Sequence, residues 1–204
     1  AWNGESWLQR GADIDGESDG DYSGVAVSLS SDGSLVAIGS INNHVNGLKN
    51  GHVRVYAWGG EKWLQLGNDI DGFETFSWFG FAVALSSDGT ALAIGAPLRK
   101  NAAGALHVYD WDGVKWVSRV SILGSQEQSF FSWGLSFSSD GNTLAVTGTR
   151  GDFARVYAVD GSEWRKLGDD ITGSWDGYMS ASLSSDGTVL AVGLRYIRSL
   201  ELPE

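Results

Sequence analysis

Four copies of the tetrapeptide Ser-Ser-Asp-Gly divide this chain into units of about fifty residues, a period that is typical of stacked repeat architectures. The Ser-Asp-Gly part of these copies begins at Ser31, Ser87, Ser139 and Ser185. A tryptophan-led segment recurs in the same order at 7–11, 63–67, 116–120 and 164–168, and a segment ending in Val-Tyr recurs at 53–56, 106–109 and 154–157. Three sequence segments that recur in the same order along the 204 residues indicate an internal repeat.

Each unit has the pattern of four short strands. Residues 24–40 alternate between apolar and polar on both sides of Ser-Asp-Gly, and residues 51–67 do so around Gly59-Gly60, as two hairpins would. Helical periodicity is absent. A small residue recurs between bulky ones in the second strand of every unit, at Ala37, Ala93, Ala145 and Ala191. Small residues opposite large ones suit sheets that stack face to face. The sequence therefore predicts an all-β fold, a small β-propeller.

The two ends of the chain resemble two parts of one unit. Residues 1–7 match 57–63, and residues 179–202 match the first strands of a unit. We therefore expect one domain, 1–204, with four blades of four antiparallel strands at about 24–70, 80–123, 132–171, and 179–202 plus 1–14. In this arrangement the N-terminal strand closes the ring and removes the free sheet edge. The alternative is a fragment of a larger propeller.

One unit carries a known motif. Phe79-Gly80 is followed fifteen residues after the glycine by Gly95-Ala96-Pro97. This chain therefore resembles the FG-GAP repeat, the blade motif of the integrin α-subunit propeller and of extracellular repeat proteins. The other units keep the motif in altered form, with Ser23-Gly24, Phe131-Ser132 and Gly177-Tyr178 at the first position. The resemblance implies a propeller that binds other proteins, in an extracellular or other non-cytosolic compartment.

Composition limits the classes of partner. The chain has 14 Lys and Arg against 25 Asp and Glu, a net charge of −11, which would repel nucleic acid. It has no cysteine, and no apolar run long enough to span a membrane. We expect a protein or glycan partner, no nucleic acid and no membrane span.

The acidic stretch 13–21 is the one candidate for a metal site. Asp13, Asp15, Asp19 and Asp21 could supply oxygen ligands to calcium. The alternative is a solvated acidic loop. The Ser-Asp-Gly hairpins have too few oxygen ligands for a calcium loop. We therefore expect no firm metal site and no required cofactor.

A catalytic set is not evident. His44, His52 and His107 have no ligand-like spacing, and no nucleophile elbow is present. Asp169 and Asp170 are adjacent on a predicted strand and should point to opposite faces. We expect that the chain is not an enzyme.

Binding residues are expected in the loops that join one blade to the next, called 4–1 loops here, which should share a face with the loops between strands two and three. The candidates are Phe76, Trp78, Phe130, Trp175 and Tyr178. Trp78 and Trp175 have no tryptophan counterpart in the other units. Aromatic rings beside polar groups suit protein hot spots or glycan stacking, although some rings must pack between blades. The sequence predicts a non-catalytic protein-interaction or scaffolding module, an accessory subunit of a larger assembly; the alternative is a lectin-like propeller that binds carbohydrate.

Overall fold

The chain folds into antiparallel β-sheets, as predicted. A computed structural model describes residues 1–45, 48–149, 153–160, 163–172 and 177–196. A short helical segment, α1 (Arg99–Ala102), interrupts the second blade. No helix among the described residues is both long and apolar enough to cross a bilayer.

The first blade contains four antiparallel strands in chain order, with additions at its loops and outer edge. The four are β1 (Ser23–Leu29), β2 (Leu35–Ser40), β5 (His52–Trp58) and β6 (Trp63–Gln65). The loop between β2 and β5 forms a small ribbon of β3 (His44–Val45) and β4 (Leu48–Lys49). A short strand, β7 (Ile70–Asp71), continues the outer edge by pairing with the start of β5.

Two further four-stranded blades follow, and then two strands of a fourth. The second blade is β8 (Ala82–Leu85), β9 (Ala91–Ala96), β10 (Ala105–Trp111) and β11 (Trp116–Leu123). The third is β12 (Gly134–Phe137), β13 (Thr143–Thr147), β14 (Phe153–Asp160) and β15 (Glu163–Thr172). In the described part of the fourth, β16 (Gly177–Leu183) pairs with β17 (Leu190–Tyr196). The first strands β1, β8, β12 and β16 are neighbours in that order, as the inner strands of a propeller are.

The repeated alanine lies where successive blades stack. Ala37 is fully buried in one apolar cluster with Leu92 and Ile94 of the second blade. Ala93 is fully buried in the next cluster with Leu144 and Val146 of the third blade. The prediction that small residues face large ones between sheets is thereby confirmed for these two interfaces. Each interface buries a bulky pair against a single methyl group, which allows the sheets to approach closely.

The glycines of the FG and GAP segments lie at the closest approach between blades. A Cβ atom on Gly39 would overlap the carbonyl oxygen of Gly80, and one on Gly95 would overlap that of Ser132. Because backbone atoms cannot move aside as a flexible side chain can, only glycine fits at Gly39 and Gly95. In the third blade Thr147 takes this position and donates its hydroxyl to the carbonyl of Met179 at 3.0 Å.

The Ser-Asp-Gly turns also connect the blades. The Ser31 amide donates to the carbonyl of Ser87 at 2.9 Å, the Ser87 amide to that of Ser139 at 3.2 Å, and the Ser139 amide to that of Ser185 at 2.8 Å. Within each turn the aspartate accepts from neighbouring hydroxyl and amide groups, as Asp32 does from Ser30 and Ser34. The shared sequence therefore has a structural role at the face opposite the 4–1 loops.

Residues 1–14 lie against the first blade. Trp2 and Trp7 form a small hairpin whose rings are 5.8 Å apart, similar to the Trp58–Trp63 pair at 5.3 Å. In the described residues β17 pairs only with β16, and no backbone hydrogen bond joins 7–14 to 179–192. Trp7 is 79 % exposed, whereas Trp63 is half-buried.

The outward faces of the first and fourth blades are uncovered. On β1, Val27 and Leu29 are 63 % and 59 % exposed. On β17, Ala191 is exposed, although its equivalents Ala37 and Ala93 are fully buried. The uncovered face of the first blade therefore carries bulky side chains, and that of the fourth blade carries a small one. The interfaces between successive blades combine a bulky and a small face in the same way.

Candidate functional site

The 4–1 loops and the loops between strands two and three lie on one face. The 4–1 loop between β7 and β8 forms hydrogen bonds with the loops between strands two and three of the first and second blades. The Phe76 amide donates to the Lys49 carbonyl of the first blade at 2.8 Å, and the Leu98 amide of the second blade donates to the Ser77 carbonyl at 3.1 Å. The next 4–1 loop bonds in the same way, from the Phe130 amide to the Ala102 carbonyl at 2.7 Å. These bonds hold the aromatic loops in place from both sides.

Three positions in or at the end of each of three successive 4–1 loops have a left-handed backbone, the last of them held by Gly24, Gly80 and Ser132 with φ of 87°, 92° and 73°. The first position is held by Gly20, Phe76 and Gln128, with φ of 82°, 58° and 59°; the second is held by Tyr22, Trp78 and Phe130, with φ of 56°, 56° and 48°. A left-handed conformation at a bulky residue costs of order 1–3 kcal/mol and persists only where the surroundings impose it. The repeated loop geometry is therefore imposed by the fold rather than by the local sequence.

This geometry changes the interpretation of Trp78. The sequence indicated no counterpart to Trp78, but Tyr22 and Phe130 have the same backbone conformation at the same point of their loops. The residue type differs between the units, which hides the equivalence from a search for repeated tryptophan. Trp78 thus belongs to a recurring aromatic position, whereas Phe76 stands where the other loops have Gly20 and Gln128.

Four rings of two neighbouring loops, those of Trp78, Phe81, Phe130 and Trp133, form a connected cluster. Trp78 stacks on Phe81 with ring centroids 5.4 Å apart, and Phe81 lies 4.4 Å from Trp133. Phe130 meets Trp133 edge-on at 5.9 Å. Phe76 lies two residues before Trp78 in the same loop, and these four rings together with Phe76 are called the aromatic face here. Phe76 is 62 % exposed, whereas Trp78 and Phe130 are half-buried. The fold therefore joins two of the five predicted binding residues, Trp78 and Phe130, in one cluster, and a third lies in the same loop as Trp78.

The structure does not describe the side chains of the other two predicted binding residues. Trp175 lies outside the described residues. Tyr178 lies on β16, in register with Arg195, but its side chain is likewise not described.

The four aspartates proposed as calcium ligands serve different local purposes. Asp21 is buried and accepts from the backbone amides of Glu17, Ser18 and Ser23 at 3.0–3.4 Å, which closes the loop on itself. Burial raises the pKa of Asp21, but these amide bonds outweigh that effect and hold the pKa below its usual value.

The remaining three do not complete a calcium site. Asp13 is exposed and accepts from Gln9 at 2.7 Å. Asp15 uses its backbone carbonyl, not its carboxylate, to accept from Arg54 at 3.0 Å. Asp19 is exposed, and no three of the four carboxylates come within metal-binding distance of one another.

A different polar cluster includes Glu17 of this loop: one potential ligand atom from each of Glu17, His52 and Asp69 lies within 4.8 Å of the other two. The Nδ1 atom of His52 is 3.6 Å from Asp69 Oδ2 and 3.9 Å from Glu17 Oε2. His52 is only 1 % exposed, and neither ring nitrogen has a hydrogen-bond partner.

Electrostatics keep His52 neutral. Burial lowers its pKa, and this effect exceeds the opposite influence of the Asp69 carboxylate. Burial also raises the pKa of the adjacent Asp71, and the Asp69 charge raises it further. The sequence could have drawn attention to His52, because the equivalent residues in the next two blades are Ala105 and Phe153. Its two partners are distant in sequence, so the spacing alone did not reveal the cluster.

His107 has a structural environment instead. Its Nδ1 lies 2.8 Å from Ser121 Oγ, and its ring packs against Phe73 and Phe79 at 5.9 and 5.4 Å. Burial, together with the nearby Arg99 charge, lowers the pKa of His107 to about 4.

Comparisons with known proteins show the fold alone. No family model matches the chain, and no curated protein matches it. A solved structure from Bacteroides uniformis ATCC 8492, named provisionally as a 6-phosphogluconolactonase, matches with a TM-score of 0.60 at 15 % identity, over 83 % of this chain and 47 % of its own. Saccharomyces cerevisiae Sqt1 matches with a TM-score of 0.53 at 14 % identity, over 78 % of this chain and 38 % of its own. This chain thus spans about half the length, or less, of these structures.

One expectation needs correction in view of these matches. The expectation that the chain is not an enzyme, which rested on the lack of an evident catalytic set, is contradicted, because a solved structure similar in fold carries the name of an enzyme. At 15 % identity that likeness shows no shared activity. The comparisons therefore assign a propeller-like all-β fold and leave catalysis open.

Proposed function

We propose that this chain is a protein-interaction module that binds its partner through the aromatic face. The conspicuous residue is Phe76, which holds a large apolar ring in solvent from a left-handed backbone position. The equivalent residues Gly20 and Gln128 show that the loop does not need an aromatic side chain there. Neither packing nor backbone conformation accounts for Phe76, and a binding role accounts for both its exposure and its strain.

The surrounding residues support such a role. Trp78 and Phe130 are half-buried on their neighbours, so they are held in place while part of each ring stays accessible. Rigid aromatic anchors lose little conformational entropy on binding and are enriched in interface hot spots. The two neighbouring loops carry different side chains, so their combined surface is asymmetric and suits one specific partner.

A selection of random peptides displayed on phage would test the proposal. Peptides enriched on the wild-type protein should lose at least about tenfold in affinity with Phe76→Gly or Trp78→Ala. Phe76→Gly should also leave the melting temperature unchanged or raised, because it removes backbone strain. The matched control is Val114→Ala on the opposite face, since Val114 is 79 % exposed and should not affect binding.

The outcomes separate the alternatives. Binding on a glycan array that disappears with the same two variants, with no peptide enriched, would favour a lectin-like function instead. Ligands that depend on Val114 and ignore Phe76 would contradict the aromatic face as the site.

We further propose that blades cover both uncovered faces in the functional protein. In a four-bladed ring these faces would cover each other, with residues 1–14 as the outer strand of the blade that begins with β16; in a larger propeller, further repeats would cover them. The complementary bulky and small faces support either arrangement. Membership of the FG-GAP family and a location outside the cytosol remain part of the same proposal, resting on the Phe79-Gly80 and Gly95-Ala96-Pro97 segments.

A further inference from the structure

We propose that Glu17, His52 and Asp69 form a binding site for a divalent transition-metal ion such as Zn²⁺, between the N-terminal loop and the first blade. The site is separate from the aromatic face and does not depend on the proposed interaction. Three features support the site: the distances between the three side chains, the burial of His52 and the groups that orient the carboxylates.

The distances suit ligands arranged around an ion. His52 Nδ1 is 3.6 Å from Asp69 Oδ2 and 3.9 Å from Glu17 Oε2, too far for a good hydrogen bond to either. Around a tetrahedral Zn²⁺ with bonds of about 2.0–2.2 Å, ligand atoms are roughly 3.3–3.6 Å apart. The two distances from His52 are within a few tenths of an ångström of these values, and all three ligand atoms lie within 4.8 Å of one another, so side-chain movements of about 1 Å or less would place them at bonding distance.

His52 is the second, independent observation. Its side chain is 99 % buried, and both ring nitrogens lack a hydrogen-bond partner, which is costly for a polar group inside a protein. An imidazole nitrogen without a hydrogen-bond partner is available to bind a metal ion. The equivalent residues Ala105 and Phe153 show that the blade itself does not require histidine at this point.

Neighbouring groups hold the carboxylates in a ligand-like orientation. Asn43 donates to Glu17 Oε2 at 2.8 Å, and Gln65 donates to Asp69 Oδ1 at 2.7 Å, which leaves Oδ2 turned toward His52. Hydrogen bonds of this kind commonly orient metal ligands.

The charges around the cluster favour a cation. Arg54 lies 3.7 Å from Glu17 Oε1, whereas the other oxygen of this carboxylate, Oε2, is the one nearest to His52. Its positive charge is outnumbered by the carboxylates of Glu17 and Asp69 together with that of the nearby Asp71, which also interacts electrostatically with His52. The Glu17 and Asp69 side chains are 45 % and 32 % exposed, so an ion can enter from solvent and keep a water as its fourth ligand.

The donor set identifies the class of ion. One imidazole with two carboxylates suits Zn²⁺ and its neighbours in the first transition row, because imidazole is a good ligand for them. Ca²⁺ prefers six to eight oxygen ligands and would gain little from His52. Binding should therefore discriminate between Zn²⁺ and Ca²⁺.

The chain offers matched controls from its own repeats. Gln9 and Asp13 form the same 2.7 Å bond as Gln65 and Asp69, but the described residues bring no histidine next to Asp13. His107 is buried like His52, but Ser121 satisfies its Nδ1 and no carboxylate joins it in such a cluster. Asp13→Asn and His107→Gln thus remove a carboxylate or an imidazole without touching the proposed site.

Titration calorimetry with Zn²⁺, and absorption spectroscopy with Co²⁺ in its place, would test the site on the whole chain. The wild-type protein should bind one ion, and His52→Ala and Glu17→Gln should each weaken binding by at least about tenfold. The next repeat has an alanine, Ala105, at the position equivalent to His52, and Glu17 is exposed. Circular dichroism should therefore show that both variants are folded. Wild-type affinity in Asp13→Asn and His107→Gln completes the expected result.

Two results would overturn the proposal. One is that the folded wild-type protein does not bind Zn²⁺. The other is that the His52→Ala variant binds Zn²⁺ as tightly as the wild type does. A tighter response to Ca²⁺ than to Zn²⁺ would contradict the assigned class of ion.

Discussion

The indole N–H of Trp63 donates to the backbone carbonyl of Arg10 at 2.8 Å, and the same bond joins Trp116 to Leu66 at 3.2 Å. In the second case the two partners belong to successive blades. Residues 7–11 therefore occupy, against the first blade, the place of a preceding blade's outer strand. Arg10 strengthens this contact, because its guanidinium lies 4.7 Å from the Trp58 ring and donates to the Gly33 carbonyl at 3.0 Å.

The first prediction concerns this contact. Arg10→Ala should lower the free energy of unfolding by about 1–2 kcal/mol, since it removes a cation–π contact and a hydrogen bond to a charged group. Urea unfolding would measure the change. The control is Arg165→Ala: the side chain is 64 % exposed and its ion pairs with Asp160 and Glu163 lie at the surface, so the loss should stay below about 0.5 kcal/mol. Equal losses in both variants would mean that residues 7–11 are not docked.

A second prediction tests the alanine positions between blades. Ala93→Leu and Ala145→Leu should each lower the free energy of unfolding by about 1–3 kcal/mol, because both alanines are fully buried and leucine would overpack the interface. Thermal unfolding would report the loss. Ala191→Leu is the matched variant, because the same position on β17 is exposed in the structure. Tolerance of leucine at Ala191 would show that this face stays uncovered, whereas a loss as large as at Ala93 would support the proposal that another blade covers it.

The repeats made much of this fold predictable, because a propeller interface depends on residue size in a fixed register. Ala37 and Ala93 occupy the repeated alanine position, and Gly95 belongs to the GAP segment. Each of the three is small where two blades pack closely together. Chain closure could not be read in the same way, since matching half-units at the two ends are compatible with one ring or with a longer series of blades.

The sites were less predictable than the fold. The left-handed backbone at Phe76 and Trp78 comes from the surrounding loops, and no local sequence signal marks it in residues other than glycine. The cluster at His52 unites residues from the N-terminal loop, a central strand and the segment between β6 and β7, and its members lie 35 and 17 positions from His52 in sequence. Local spacing therefore could not reveal it.

A third prediction concerns the glycine of the GAP segment. Gly95→Ala should lower the free energy of unfolding by about 1–3 kcal/mol, because the new methyl group would overlap the carbonyl oxygen of Ser132 and force two blades apart. At Gly193, the equivalent position on β17, a Cβ would meet only the Ser180 hydroxyl, which can rotate away. In the chain by itself, with this face uncovered as in the structure, Gly193→Ala should therefore cost less than about 0.5 kcal/mol. Chemical denaturation of the two variants would compare them, and similar losses would contradict this account of the close approach.

The last prediction concerns the acid stability that Asp170 provides. Arg155 binds this carboxylate through two parallel bonds, Nε to Oδ1 at 2.8 Å and Nη2 to Oδ2 at 2.7 Å. These bonds lower the pKa of Asp170 to about 2 in the folded protein, below its value of about 3.9 in the unfolded chain. The folded state therefore binds fewer protons than the unfolded state between these values. Stability from the pair should be complete above about pH 4 and should be lost as the pH falls toward 2.

Asp170→Asn should consequently be less stable than the wild type at pH 7, and the difference in free energy of unfolding should shrink between about pH 4 and pH 2. Urea unfolding at a series of pH values would follow it. Asp169→Asn is the control: this neighbouring side chain is exposed on the opposite face of β15, so its replacement should change stability by less than about 0.5 kcal/mol. A difference between the wild type and Asp170→Asn that stays constant down to pH 2 would contradict a charged pair with Arg155 as the source of this stability.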